Sequence, residues 1–229
     1  MNTKTPISFN SKEIHIKDNS LVLPGTLNTV QPAEGIVLFA HGSGSSRLSP
    51  RNQTVANYLN SHGISTLLFD LLSESESTVR DNVFNIPLLA DRLLLATDWV
   101  KHREDLKTLP MGYFGASTGA GAALWAASKN GYNITAVVAR GGRPDLAMHR
   151  LKQVVAPTLL LVGEYDYPVI EMNEEALKQL PIGRIIIVPQ ATHLFEEKGA
   201  LEQVAGHAKD WFLEHFKRKN RRATHYRAA

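Results

Sequence analysis

The 229-residue sequence contains no cysteine. That excludes disulfides, thiolate metal centres and a cysteine nucleophile. It also lacks a long apolar run. The greasiest stretch, LLADRLLLA (88–96), carries an acid and a base and is far shorter than the roughly 20 residues a membrane-spanning helix needs. The opening MNTKTPISFN has no apolar segment of the secretory kind, so a cytoplasmic protein is the expectation. No HExxH, no EF-hand loop and no Cys/His cluster occurs, and no GxGxxG follows a strand. No metal and no cofactor are expected on those grounds. The glycine-rich loop HGSGSS (41–46) is not followed by GK[ST], which removes a Walker-type phosphate loop.

What remains is an ordinary globular composition, 43% hydrophobic and 21% charged, with 16 glycines and 11 prolines. One domain of this length buries roughly 70–75% of its unfolded surface and needs no staples. The net charge of +3 is unevenly placed. Lys217, Arg218, Lys219, Arg221, Arg222 and Arg227 all fall in 217–229 with no acid among them, which leaves residues 1–216 net negative. We therefore read 1–216 as one domain and 217–229 as a basic, flexible, solvated tail. Nothing aromatic or glycine-rich accompanies the tail, so contact with nucleic acid or an anionic membrane is not expected.

Short β-rich runs alternate with longer helical ones, the pattern of βαβ units around a mainly parallel sheet. EIHIKD (13–18) and a run near 20–30 form an antiparallel start. GIVLFA (35–40), ISTLLFD (64–70), MGYFGA (111–116), ITAVVA (134–139), PTLLLVG (157–163) and RIIIVP (184–189) are the buried strands that follow. Helices are expected at about 50–62, 82–103, 118–129, 171–180 and 198–217, with Ser49 as an N-cap and Pro50 at the first helical position of the earliest. The fold class is α/β, with about eight strands flanked by helices. Only 17 residues separate ITAVVA from PTLLLVG, which leaves no room for a large cap.

Gly115-Ala116-Ser117-Thr118-Gly119 fits GxSxG between a strand and a helix. There a sharp turn lifts a serine hydroxyl above the sheet at a helix N-terminus. A serine is inert at neutral pH without a base, and the partners should follow as acid and then histidine at later strand ends. Asp166 follows PTLLLVG and His193 follows RIIIVP. His193 is the candidate base and Asp166 its orienting acid. Glu164 is a rival two residues earlier, less able to reach across. Ser43, in the loop after GIVLFA, and Thr118, after the nucleophile, are the candidate amide donors for an oxyanion. His41 braces the Ser43 loop. His15, His62, His102, His149, His207, His215 and His225 are read as surface or structural. Arg47, Arg140 and Arg143 are candidates to bind an anionic substrate, with pairing to Asp145 or solvation as the alternative.

HGSGSSR…SPRNQ, FGASTGAGAAL, RGGRPDLA, VGEYDYPVI and ATHLFEE resemble the α/β-hydrolase superfamily, and within it the small dienelactone hydrolase-like branch, from about residue 13 to 217. The resemblance implies Ser117 as nucleophile, Asp166 as acid and His193 as base. It implies no large cap and no cofactor. Dienelactone hydrolases proper use a cysteine nucleophile and this chain has none, so a serine esterase is what the resemblance implies. The expectation is a hydrolase that cleaves a small carboxylic ester, thioester or lactone through an acyl-serine. A slow or inactive ligand receptor and a peptidase or amidase are the alternatives.

Overall fold

The computed structural model describes residues 7–227, with side chains as far as Arg221. The elements in chain order are β1 (Ser8–Asp18), β2 (Leu21–Gln31), β3 (Gly35–Ala40), α1 (Pro50–Asn60), β4 (Ile64–Phe69), α2 (Glu74–Ser77), α3 (Arg80–Val83), α4 (Ile86–Lys101), β5 (Met111–Ala116), α5 (Thr118–Ala127), β6 (Ile134–Arg140), a 3₁₀ segment (Pro144–Gln153), β7 (Thr158–Gly163), α6 (Tyr167–Leu177), β8 (Gly183–Val188) and α7 (Ala200–Arg227). The strands form one open sheet in the order β1-β2-β4-β3-β5-β6-β7-β8. β1 and β2 are antiparallel, β2 lies antiparallel to β4, and the rest are parallel.

Alternation along each central strand supplies two cores. In β3, Ile36, Leu38 and Ala40 face one apolar cluster with α4, α5 and α6. Val37 and Phe39 face the other, with α1 and α7. Both faces are covered, so β3, β5 and β7 are buried along their whole length, as a doubly wound sheet requires. The strand order reverses at β3, which lies between β4 and β5. Loops leaving β3 and β5 at their C-terminal ends diverge there and leave a crevice.

Several boundaries differ from the sequence reading. β1 begins at Ser8 because an eleven-residue ladder with β2 holds its polar first half. The helix expected from 82 starts at Ile86, where the Asn85 side chain accepts from Leu88 N–H at 3.1 Å. The helix expected near 171 starts at Tyr167, since Pro168 suits a first turn. Residues 144–153, where no helix was expected, form the 3₁₀ segment.

The C-terminal helix differs most. It crosses position 217 without a break and runs to Arg227. Lys219 Nζ donates to Asn133 O at 3.1 Å, Asn220 Nδ2 donates to Glu34 O at 3.2 Å, and Arg218 pairs with Glu214 one turn back at 2.7 Å. The basic side chains through Arg221 thus extend a docked helix. Residues 228–229 of the expected tail lie outside the described residues. Among the described residues, no helix is long and apolar enough to cross a membrane.

Candidate active site

Ser117 sits on the single-residue turn between β5 and α5 with φ 51° and ψ −122°. Such a conformation costs an L-residue about 1–3 kcal/mol and persists only where the surroundings over-determine it. They do so here. Ser117 N–H donates to Arg140 O at 3.1 Å, while Ser117 O accepts from Ala120 N–H at 3.0 Å and Arg143 N–H at 3.1 Å. The flanking glycines are required by close approach. A Cβ on Gly115 would lie 2.5 Å from Ala120 Cα, and one on Gly119 would lie 2.2 Å from Ala40 O. The motif's spacing therefore reflects packing of the turn against β3 and its own helix.

His193 stands in the loop after β8, and Asp166 in the turn after β7. A third close approach joins them. A Cβ on Gly163 would meet Ala191 O at 2.4 Å and Thr192 O at 2.6 Å. Tyr165 N–H then donates to Ala191 O at 2.9 Å, so the two loops run side by side. Asp166 occupies the N-cap position of α6, yet its carboxylate makes no cap hydrogen bond. Its Oδ2 instead accepts from His193 Nδ1 at 2.6 Å, with the carboxylate far more buried than the imidazole. The rival Glu164 is occupied elsewhere: its Oε2 accepts from Gln190 N–H at 2.7 Å.

Ser117 and His193 line the same cavity, of about 260 Å³, together with Ser43, Arg51, Asn52, Arg140 and others. A larger cavity of about 400 Å³ lies against the other side of the HGSGSS loop and includes Leu71, Leu72, Val83 and Leu89 in its wall. The two share Gly42, Ser43 and Ser45. His41 holds the shared loop. Its Nε2 accepts from Leu71 N–H at 3.1 Å, which leaves the Nδ1–H to donate to Gly42 O at 3.0 Å. Burial pushes its pKa down from the ordinary value, consistent with a neutral ring. The Ser43 amide, expected to be free for an oxyanion, donates to Thr118 Oγ1 at 2.7 Å. Both oxyanion candidates are thus adjacent, but one is tied to the side chain of the other.

The three arginines separate. Arg47 donates to Asp70 from both its backbone N–H, at 2.7 Å, and Nη1, at 2.9 Å, and it approaches Glu13. It ties the loop after β3 to the end of β4. Arg143 forks onto Asp145 through Nε and Nη2 at 2.9 and 2.8 Å. Both are engaged in structural pairing. Arg140 alone of the three lines the cavity with Ser117. Sequence reasoning missed Arg51 and Asn52, which stand in the first turn of α1. The only available signal was their position just after the N-cap of the helix that follows the HGSGSS loop.

The fold has counterparts among solved structures. A dienelactone hydrolase from Anabaena variabilis is 52% identical, with a TM-score of 0.87 over 90% of this chain and 98% of that one. The chain belongs to the dienelactone hydrolase-like branch of the α/β-hydrolase superfamily. The fold extends further: Est1E from Butyrivibrio proteoclasticus superposes with a TM-score of 0.77 over 90% of this chain and 99% of that one at 16% identity. Among curated proteins, one from Mycobacterium tuberculosis named "Putative phosphoribosyl transferase" is 53% identical over 206 residues, 89% of this chain but 46% of the relative. The chain spans about half the length of the curated relatives it matches at that level. No family model matches it. As a member of this superfamily the chain has hydrolases as its structural relatives.

Proposed function

We propose that this α/β-hydrolase is a serine hydrolase that cleaves the carboxylic ester, thioester or lactone of a small substrate through an acyl-Ser117 intermediate. One observation carries the reading. His193, joined to Asp166 at 2.6 Å, shares a cavity with a serine held on a strained strand-to-helix turn.

In this reading His193 takes the Ser117 proton through its free ring nitrogen as Ser117 Oγ attacks the carbonyl carbon. The same nitrogen then protonates the leaving alkoxide. Asp166 fixes the tautomer that leaves that nitrogen unprotonated, and it stabilises the imidazolium once formed. Water activated by His193 attacks the acyl-enzyme, releasing the acid and regenerating Ser117. The developing oxyanion is received by the amides of Thr118 and Ser43. Removal of one such donor typically costs about 2.7–4 kcal/mol of transition-state stabilisation. The Ser43 amide reaches the oxyanion by sharing or giving up its bond to Thr118 Oγ1, whose hydroxyl proton is then available in the same place. The larger cavity beside the loop, where Leu71, Leu72, Val83 and Leu89 share the wall with Arg47, Asp70 and Glu74, offers room for an uncharged acyl or alcohol portion against its apolar part. A cytoplasmic setting accords with this reading.

Hydrolysis of p-nitrophenyl acetate by the wild type and by Ser117→Ala, purified identically, tests it. Multiple turnover that disappears in the variant is the expected result. Turnover that survives in Ser117→Ala would show that another group is the nucleophile.

A further inference from the structure

The cavity that holds Ser117 and His193 also holds a positive charge with no counter-charge. Arg140 ends β6, beside Ala116 in the register of the sheet, and is 7% exposed. Its Nε and Nη1 are closed off from solvent and have no hydrogen-bond partner. Burial draws its pKa down to about 10, and the neighbouring charge that lowers it further is another cation, Arg51. The ring of Phe195 lies 5.8 Å from the guanidinium carbon, a weak compensation for a desolvated charge. A buried ion without a partner is among the costliest things a fold can hold.

Two neighbours also carry buried polar atoms without a partner. Arg51 reaches Glu196 through Nη1 at 2.8 Å, but its Nε is buried and unpartnered. The Oδ1 of Asn52, a residue 3% exposed, is unpartnered as well. Both stand in the first turn of the eleven-residue helix α1, whose positive dipole end adds to the field. Arg47, Arg51 and Arg143 each have a carboxylate, in Asp70, Glu196 and Asp145, whereas Arg140 forms no ion pair among the described residues. The uncompensated positive charge in the cavity is therefore that of Arg140, whose backbone carbonyl accepts from Ser117 N–H at 3.1 Å.

We propose that Arg140, with Arg51 and Asn52, forms an anion subsite that seats a carboxylate or phosphate group of the substrate beside Ser117. The inference rests on Ser117 as the reacting group and adds the substrate's chemical class. Guanidinium N–H groups at two positions match the oxygens of such an anion. The Asn52 amide completes the ring by turning its NH₂ end toward an oxygen. An apolar remainder fits the larger cavity across the loop. The substrate class is then an ester with an anionic group on one side of the scissile bond and an uncharged group on the other.

Two matched ester pairs test this, one for each side of the bond. They are 4-nitrophenyl hydrogen succinate against 4-nitrophenyl butyrate, and 4-acetoxybenzoate against its methyl ester. In the wild type, the anionic member of one pair is expected to have a kcat/KM at least about tenfold higher than its neutral partner. Arg140→Met is expected to bring that ratio near one, chiefly through KM, and Arg140→Lys to restore part of it. Parity in both wild-type pairs together with no response to methylphosphonate in the binding measurement, or a preference that Arg140→Met leaves in place, would overturn the proposal while the serine mechanism stands.

A binding measurement separates the subsite from the mechanism. Acetate and methylphosphonate are titrated against Ser117→Ala at constant ionic strength in chloride, with the thermal midpoint as readout. One of the two should raise the midpoint, and Ser117→Ala/Arg140→Met should not respond. The anion that acts identifies carboxylate or phosphate. No response from either, or an equal response in both proteins, would remove the subsite even if no ester is ever turned over.

Discussion

Asp166 Oδ2 lies 2.6 Å from His193 Nδ1, although the two residues are 27 positions apart in the chain. They meet because β7 and β8 are parallel neighbours whose C-terminal ends lie level, with Gly163 paired to Val188. The absence of a Cβ on Gly163 lets the histidine loop cross directly over the end of β7.

Asp166→Asn should lower kcat by about 10³–10⁴-fold, because an amide cannot hold the imidazole in the required tautomer. Glu164→Gln should change kcat by no more than a few-fold, since an amide oxygen can still accept from Gln190 N–H. Steady-state kinetics on one activated ester compares the two. Similar losses from both would contradict the assignment of the acid.

Ser117→Ala and Ser117→Gly both remove the hydroxyl but differ in backbone cost. At φ 51° the alanine retains the strain and the glycine relieves it. After allowance for the entropy that glycine loses on folding, Ser117→Gly should be more stable than Ser117→Ala by about 1 kcal/mol. Both should be inactive. Urea unfolding monitored by tryptophan fluorescence supplies the comparison, and equal midpoints would mean the turn carries no strain.

Thr118→Val keeps the shape of the side chain and deletes the acceptor for Ser43 N–H. A part-buried amide left without a partner should cost about 1–3 kcal/mol, and Thr118→Ser should recover most of it. If Thr118→Val unfolds at the wild-type denaturant concentration, the 2.7 Å bond contributes nothing to the resting protein.

His41 introduces a pH dependence of stability whose sign follows from its burial. Its folded pKa lies below the ordinary value of 6.5, so the unfolded chain takes up a proton first as pH falls. Stability is therefore undiminished by this group above about pH 6.5. It is lost progressively as pH falls below that value toward the folded pKa. His41→Gln retains an acceptor for Leu71 N–H and removes the titration. Its thermal midpoint should fall less between pH 7.5 and 5.5 than that of the wild type. His215, also buried with a lowered pKa, is present in both proteins and cancels. Parallel curves would show that His41 does not titrate across folding.

The parallel core was legible because each buried strand is a short apolar run set off by turn residues, and period-two alternation needs nothing beyond the local chain. The GxSxG turn was legible for a related reason. Steric exclusion at Gly115 and Gly119 acts within a few residues of the serine and leaves its mark as spacing. The start of β1 and the continuation of α7 past 217 were not legible. Polar residues there are held by distant partners, β2 in one case and Asn133 and Glu34 in the other.

Composition, strand order and the sequence of serine, acid and histidine along the chain thus determined the fold class and proposed the reacting groups. Tertiary structure decided which charges are spent. Arg47, Arg140 and Arg143 are the same residue type near strand ends, and although Asp145 stands two residues from Arg143, the sequence does not settle which of the three is paired. Asp70 and Asp145 neutralise two of them, while the third is buried between the sheet, Phe195 and the first turn of α1 without a carboxylate. Ion pairing depends on distance and burial in three dimensions, so only the folded chain distinguishes a structural arginine from one left open to a ligand.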